Sequence, residues 1–266
     1  MKKFQVFILI ALFIGAHNLF AQDTLRDAKS VNVPVEHYGL SFGNSYRFNG
    51  IRVNFADENV EEVNGLNLTF WFKMFRNKES VVNGISVGVI PTGGTMRGVN
   101  VGLLGVGGAH DLYGLNLCGI VIGGSGVMKG LMVSGLLTMA DGPESSINGL
   151  ALSGLGIGAR KVINGIAVCG LAVGTDGDIN GVASSLAYVS SEKNYRRIAL
   201  TAGYLESYAF NGIAIAGYAK TSQMNGVSIA LFNSSKELHG VQLGILNYAG
   251  NNPAGLKWLP LINGHF

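Results

Sequence analysis

The stretch that decides the fold is residues 164–173, Asn-Gly-Ile-Ala-Val-Cys-Gly-Leu-Ala-Val. Large apolar residues alternate there with small ones, and this period of two is typical of a β-strand. The glycine recurs about every sixteen residues before an apolar, any, apolar triplet, and eight of the fourteen copies read Asn-Gly. The copy at Gly181 is imperfect, with Ser184 in the third place of the triplet. Helices are disfavoured, because a glycine every few residues costs about 1 kcal/mol each relative to alanine.

The repeat extends over most of the chain. The copies begin at Gly50, Gly65, Gly84, Gly98, Gly114, Gly130, Gly149, Gly165, Gly181, Arg197 (a degenerate copy without the glycine), Gly212, Gly226, Gly240 and Gly255. A fixed period predicts one structural unit stacked many times. Because every copy starts alike, the pattern favours an all-β repeat solenoid of about fourteen coils. Successive strands would then pair in parallel, with the Asn-Gly corners in one line.

The alternative architecture is an outer-membrane β-barrel, in which each copy supplies one spanning strand of about 9–11 residues and a turn. Its antiparallel strands would make odd and even copies differ, whereas they look alike here. One feature supports the barrel. The residues between the large apolar ones are small in the central copies, and if they face outward they indicate a covered or membrane-facing surface. These residues are Ala151, Ala167, Ala183, Ala199 and Ala214.

The N-terminus has the three parts of a secretory signal peptide. Lys2 and Lys3 precede an apolar run at residues 4–15, and Ala21 ends a plausible cleavage site. We therefore expect an exported protein, at the cell surface, in the outer membrane or in the periplasm of a bacterium. The predicted organisation is a signal peptide at 1–21, a lead-in or N-terminal cap at 22–47, the repeat array at 48–250 and a C-terminal cap at 251–266.

The charge of the chain argues against nucleic acid as a partner. The formal net charge is +3, and removal of Lys2 and Lys3 with the signal peptide leaves about +1. Nucleic-acid binding needs a concentrated basic face. A polysaccharide-active β-helix enzyme would carry acidic clusters in a groove, and the array shows no stacked carboxylates.

No pattern in the sequence predicts a catalytic, cofactor-binding or metal-binding residue. The histidines of the mature chain lack metal-ligand spacing, and the calcium-like turn at residues 175–178 occurs only once. The glycine runs at 105–108 and 123–126 lack the Gly-Lys-Ser/Thr of a phosphate loop. The histidines concerned are His37, His110, His239 and His265.

Three further features of the sequence predict a disulfide state, contact patches and a cap. Cys118 and Cys169 occupy equivalent positions three copies apart, roughly 14 Å at strand spacing, so we expect them to be unpaired. The aromatic run at 70–75 and the charged stretch at 192–197 are candidate contact patches. Trp258, with its neighbouring prolines, is expected to cover the open end of the array.

The repeats resemble a family of bacterial surface-repeat proteins, mostly uncharacterised, with tandem Asn-Gly-Leu-x-Ile-Gly-Leu-x-Asn units. Residues 239–247, His-Gly-Val-Gln-Leu-Gly-Ile-Leu-Asn, come closest, and the ending at 251–263 is also similar. The resemblance covers about 48–266, and it implies a repeat type without implying an activity or catalytic residues.

The sequence thus favours an exported, non-enzymatic surface or envelope protein that offers an extended interaction surface to an unknown partner, with possible outer-membrane association. The alternative function is an outer-membrane barrel that acts as a pore or anchor.

Overall fold

The computed structural model describes residues 30–35, 38–71 and 79–266, and these residues form a β-solenoid with a period near 16. The predicted signal peptide, the start of the lead-in, His37 and residues 72–75 of the aromatic run lie outside the described residues.

Two ladders of parallel strands build the solenoid. A first strand in each turn carries the corner glycine, and a shorter second strand follows it. The first ladder contains β2 (Tyr38–Gly43), β3 (Arg47–Ala56), β4 (Glu62–Trp71), β5 (Val81–Gly88), β7 (Thr95–Gly102), β9 (Leu112–Cys118), β11 (Val127–Ser134), β13 (Ser146–Ser153), β15 (Val162–Cys169) and β17 (Asp178–Ser185). The second contains β6 (Thr92–Gly93), β8 (Gly105–Gly108), β10 (Val121–Gly124), β12 (Leu137–Ala140), β14 (Gly156–Ala159) and β16 (Ala172–Thr175).

Towards the C-terminus the strands run on through the corners. β18 (Tyr188–Thr201) and β19 (Tyr204–Ala249) therefore contribute to both ladders. Antiparallel pairs occur at the two ends, where β1 (Ser30–Val35) pairs with β2 and β20 (Trp258–His265) pairs with β19. A short 3₁₀ turn, Ala254–Leu256, precedes β20.

The corner glycines explain why the repeat is so regular. Gly165 has a φ of +118°, and a Cβ on it would lie 2.1 Å from the carbonyl oxygen of Gly149 in the preceding turn. A side chain cannot fit between turns stacked this closely. The register aligns corner with corner along the stack, and Arg197 pairs between Gly181 and Gly212 with a φ of +104°. The predicted parallel pairing and single line of corners are thus confirmed.

The outer-membrane barrel is wrong as a fold, because neighbouring turns pair in parallel and a barrel of consecutive hairpins needs antiparallel neighbours. The stack has about ten turns in which both ladders contribute a strand, fewer than the fourteen copies predict. Gly255 lies in the 3₁₀ turn rather than at a corner, and β3 and β4 are followed by no second-ladder strand in the described chain. At the other end, Gly39 pairs with Gly50, so the stack already starts within the predicted lead-in.

The small residues of the central copies face the interior, which is opposite to the outward orientation that would have supported a membrane-facing surface. The alanine row, two residues after each corner, is buried, whereas the large apolar residues on either side of it point outward. Large side chains already fill the interior from two other rows, represented by Ile147 and Ile163 on the first strands and Ile157 and Val173 on the second. Because protein interiors are close-packed, the alanines fill the space that these side chains leave in the central turns, and Met132, which pairs with Ala151, is buried in the same row.

Candidate functional site

The dominant surface feature is an apolar face along the first ladder. Its two rows are the outward residues one and three positions after each corner. The first row contains Ile51, Leu66, Ile85, Val99, Leu115, Leu131, Leu150, Ile166, Val182, Ile198, Ile213, Val227 and Val241, and the second contains Val53, Leu68, Val87, Val101, Leu117, Val133, Leu152, Val168, Ser184, Leu200, Ile215, Ile229 and Leu243. No side chain in either row is charged, and only Ser184 is polar.

Exposed apolar residues at the following corner widen the apolar face. They are Phe55, Phe70, Leu103, Leu104, Ile120, Leu136, Leu155, Leu171, Leu186, Tyr218, Phe232 and Ile245. The rows also continue past the array, since Leu40 and Phe42 pair beside Ile51 and Val53, and Ile262 pairs with Leu243.

The apolar face is large for a surface left open to water. At about 4.8 Å per strand, its rows extend roughly 58 Å, and with a width of roughly 17 Å the area is on the order of 1,000 Å². The largest apolar patch on a typical monomer is only about 300–600 Å². The apolar face is therefore larger than the apolar patches expected on a monomer surface.

A row of asparagines borders the apolar face, one position before the corner glycines. Their side-chain amides hydrogen-bond from turn to turn: Asn164 Nδ2 donates to Asn148 Oδ1 at 2.7 Å, and Asn180 Nδ2 donates to Asn164 Oδ1 at 3.0 Å. Such ladders satisfy polar groups along a stack of identical turns. Arg97, Tyr113 and Lys129 replace asparagine in three consecutive turns, so a cation is tolerated in this row.

A shallow groove follows the corner glycines between the asparagine row and the apolar face. Its volume is about 710 Å³, and Lys129 and Arg197 lie among its lining residues together with Asn148, Asn164 and Asn180. The groove exists because glycine has no side chain to fill this line. The charged stretch at 192–197 reaches it through Arg197, while Arg196 Nη1 donates to Asn180 Oδ1 at 3.1 Å.

The N-terminal turns contain a buried polar network that sequence reasoning missed. Arg52 is fully buried and forms an ion pair with Asp57, and Arg52 Nη1 also donates to Asn67 Oδ1 at 2.8 Å. Thr69 Oγ1 and Asn67 Nδ2 donate to the other carboxylate oxygen of Asp57 at 2.9 and 3.0 Å. The available signal was an arginine in the middle of an apolar triplet, at a position that carries no other charged residue in the array.

Beyond this network the same inward row stays polar for three more turns. Ser86, Asn100 and Asn116 are buried, and Asn100 Nδ2 donates to Asn116 Oδ1 at 2.8 Å. The Oγ of Ser86, the Oδ1 of Asn100 and the Nδ2 of Asn116 have no hydrogen-bond partner in the structure. These atoms mark the boundary between the polar and the apolar parts of the interior.

The described histidines and the calcium-like turn, for which the sequence predicts no metal site, are separated in space or take part in hydrogen bonds within the fold. His110 lies 3.6 Å from Glu79, both exposed. His239 and His265 lie with ring centroids 6.0 Å apart, a pair that the sequence spacing did not suggest. In the described ranges, no group of three or more His, Cys, Asp or Glu could hold a metal ion. Asp178, in the calcium-like turn, accepts hydrogen bonds from Asn194 instead.

The glycine runs lie in or directly after strands of the second ladder, and the described part of the aromatic run lies on the outer surface. Residues 105–108 are the strand β8, and residues 123–126 end β10 and enter the next turn. Phe70 and Trp71 are exposed, and Phe70 stacks on Phe55 of the preceding turn with ring centroids 5.9 Å apart. The described part of the aromatic run therefore belongs to one end of the apolar face.

Both cysteines are free thiols, as the repeat spacing predicts. They lie in one row of the first ladder, with Ser134 and Ser153 on the turns between them. Burial raises the pKa of each thiol, partly offset by hydrogen bonds from the backbone. Burial also raises the pKa of Tyr195, whose hydroxyl donates to Ile198 O at 2.6 Å and accepts from the Ala183 N–H at 2.9 Å. None of these groups is arranged as a nucleophile beside a base.

The C-terminal segment closes the array with amides. Asn263, on β20, is buried, and it accepts a hydrogen bond from Asn252 Nδ2 at 2.8 Å. Trp258 is 57% exposed and packs on Tyr248, with ring centroids 4.7 Å apart. The expectation that Trp258 covers the open core is therefore wrong, because its ring lies on the outer side of the strand pair.

Comparison of the chain with protein-family models, curated proteins and solved structures gives no match. Within the described residues, no helix has the length and hydrophobicity required to cross a membrane.

Proposed function

We propose that this chain is an exported, non-enzymatic repeat protein of the bacterial surface or envelope, and that its apolar face serves as an extended interaction surface. The observation that carries the proposal is the charge-free apolar face, whose area of about 1,000 Å² exceeds that of the largest apolar patch on a typical monomer, about 300–600 Å². Export is supported by residues 1–21, which have the order of regions found in secretory signal peptides.

The placement of the charged side chains supports a binding role over an enzymatic one. Several of them pair across neighbouring turns, as in Arg160–Asp141 at 2.8 Å and Lys220–Glu206 at 3.1 Å. These exposed pairs tie turns together, and they engage the carboxylates of Asp141 and Glu206 instead of leaving them available for acid–base chemistry. The groove at the corner is lined by amides and two cations rather than by a nucleophile and its base.

The test is to express the full chain in a Gram-negative host and to follow it by fractionation and native gel electrophoresis. We expect a mature chain that begins at Gln22, in the envelope fraction, in an assembly larger than a monomer. A variant with two lysines on the apolar face, Leu152→Lys/Val168→Lys, should migrate as a monomer. The matched control, Asn148→Lys/Asn164→Lys, adds the same charge in the row where Lys129 is natural and should keep the assembly.

Retention of the full chain in the cytosol, with residues 1–21 still attached, would contradict export. Equal migration of the wild type and both variants as monomers would contradict the role of the apolar face.

A further inference from the structure

We propose that the partner of the apolar face is a second copy of this chain, packed face to face. The inference rests on the proposed function, since it names the occupant of the same surface.

The first argument is size. A stable protein–protein interface buries about 800 Å² on each partner, and the apolar face offers on the order of 1,000 Å². A homodimer interface is also the kind of contact that is most apolar at its core. The two rows provide such a core without an unpaired buried charge, because no residue in them is charged.

The second argument is shape. Because the turns stack in register, the side chains of the apolar face repeat at the strand spacing of about 4.8 Å. Two sheets that pack face to face interdigitate their side chains about 10 Å apart. A second copy has the same repeat, so its rows match over the whole length of the apolar face. A two-fold axis through the centre of the face would bring identical patches together.

The third argument is the chemistry of the border. Proteins that lie on a bilayer combine aromatic residues with a belt of lysine and arginine at the headgroup level. The border here consists mainly of asparagines whose amides are already bonded to one another. The aromatic residues stand towards the two ends of the apolar face, represented by Phe55 and Phe232, and the centre is aliphatic.

Of the lead-in, the segment 22–29 lies outside the described residues, and it is too short to cover the apolar face. Fully extended, at about 3.4 Å per residue, it reaches less than half of the roughly 58 Å that the rows span.

The experiment is sedimentation equilibrium of purified chain 22–266 at micromolar concentration, without detergent. We expect twice the monomer mass for the wild type and for Asn148→Lys/Asn164→Lys, and the monomer mass for Leu152→Lys/Val168→Lys. Circular dichroism checks that each variant keeps its β structure.

A cysteine cross-link provides a second measurement that does not depend on a destabilising charge. In a Cys118→Ser/Cys169→Ser background, Leu152→Cys places a thiol near the centre of the apolar face, where the two-fold axis would bring it close to its own copy. We expect a disulfide-linked dimer under mild oxidation, and no such dimer for the border variant Asn148→Cys.

A monomeric wild type, or a Leu152→Cys chain that stays uncross-linked, overturns the inference. If that monomer still enters a larger assembly in the cell extract, the proposed function stands with a different partner. Flotation of the monomer with phosphatidylethanolamine–phosphatidylglycerol vesicles would identify that partner as a lipid surface. A monomer in both the purified and the cellular preparation overturns the inference and the proposed function together.

Discussion

The N-terminal and central turns of the solenoid share one backbone plan but have opposite interiors. In the row two residues after the corner, β3 and β4 bury Arg52 and Asn67, whereas β13 and β15 bury Ala151 and Ala167. Both pairs of strands keep the corner glycine and the parallel register. The comparison shows that backbone stacking sets the architecture, and that the interior accepts polar or apolar side chains as long as the polar ones are hydrogen-bonded.

The buried networks of charged and amide side chains lie at the two ends of the stack, and this position explains why the central turns lack them. A solenoid end exposes strand edges and apolar core, which invites further pairing. At the N-terminal end, the network around Arg52 and Asp57 ties the turns after β2 and β3 onto the stack. At the C-terminal end, Asn247, Asn252 and Asn263 form a comparable amide network. Central turns have neighbours on both sides, so they need no such closure.

The largest effect should come from breaking the polar interior. Arg52→Met removes the Arg52 guanidinium from the buried Asp57 carboxylate, and breaking a buried pair costs about 3–5 kcal/mol. We expect a loss of stability of that size in urea unfolding. The double variant Arg52→Met/Asp57→Asn should recover a large part of it. A single variant within about 1 kcal/mol of the wild type would show that the network contributes little.

The corner should be equally sensitive in both regions, because its geometry does not depend on the interior. A Cβ on Gly65 or Gly165 would lie 2.2 or 2.1 Å from a carbonyl oxygen of the preceding turn, at a positive φ. We expect Gly65→Ala and Gly165→Ala each to cost about 2–3 kcal/mol by the same unfolding measurement. Gly158→Ala, where the nearest atom is 3.8 Å away, is the matched control and should be close to neutral. Unequal costs at the two corners would argue that they are not equivalent.

The smallest effect should come from overfilling the apolar interior. Ala167→Leu inserts a large side chain between Ala151 and Ala183, which are both fully buried, and overpacking typically costs about 1–3 kcal/mol. The neighbouring outward change, Ile166→Leu, keeps the volume and should change the unfolding midpoint little. If Ala167→Leu proves as harmless as this control, the interior has more room than the structure indicates.

The repeat spacing predicted the stacking of the turns correctly, except at the C-terminal end. The step from Gly149 to Gly165 to Gly181 predicted parallel stacking and the corner line, because a repeated unit must bury its surface against its copies. The equivalence of Cys118 and Cys169 followed from the same spacing. The copy predicted at Gly255 is wrong. A glycine followed by an apolar residue matches the repeat there, although the chain reverses its direction after Pro253.

The candidate site was harder to predict than the fold. The residues of the apolar face are visible in the sequence as large apolar residues that are never charged, but the alternation with small residues does not show that they face outward. The pairing of Arg52 with Asp57 could not be read from spacing either, because it depends on how the turn after β3 folds back over the end of the stack.

The period, the corner and the parallel order of the turns can be read from the sequence, since they follow from local backbone geometry repeated along the chain. The inward side of each strand cannot, because it depends on how the two ladders pack. A period of two defines two sides without saying which one is buried. The volume between the two ladders makes that choice, because it holds the alanine row and turns Ile166 and Val168 outward.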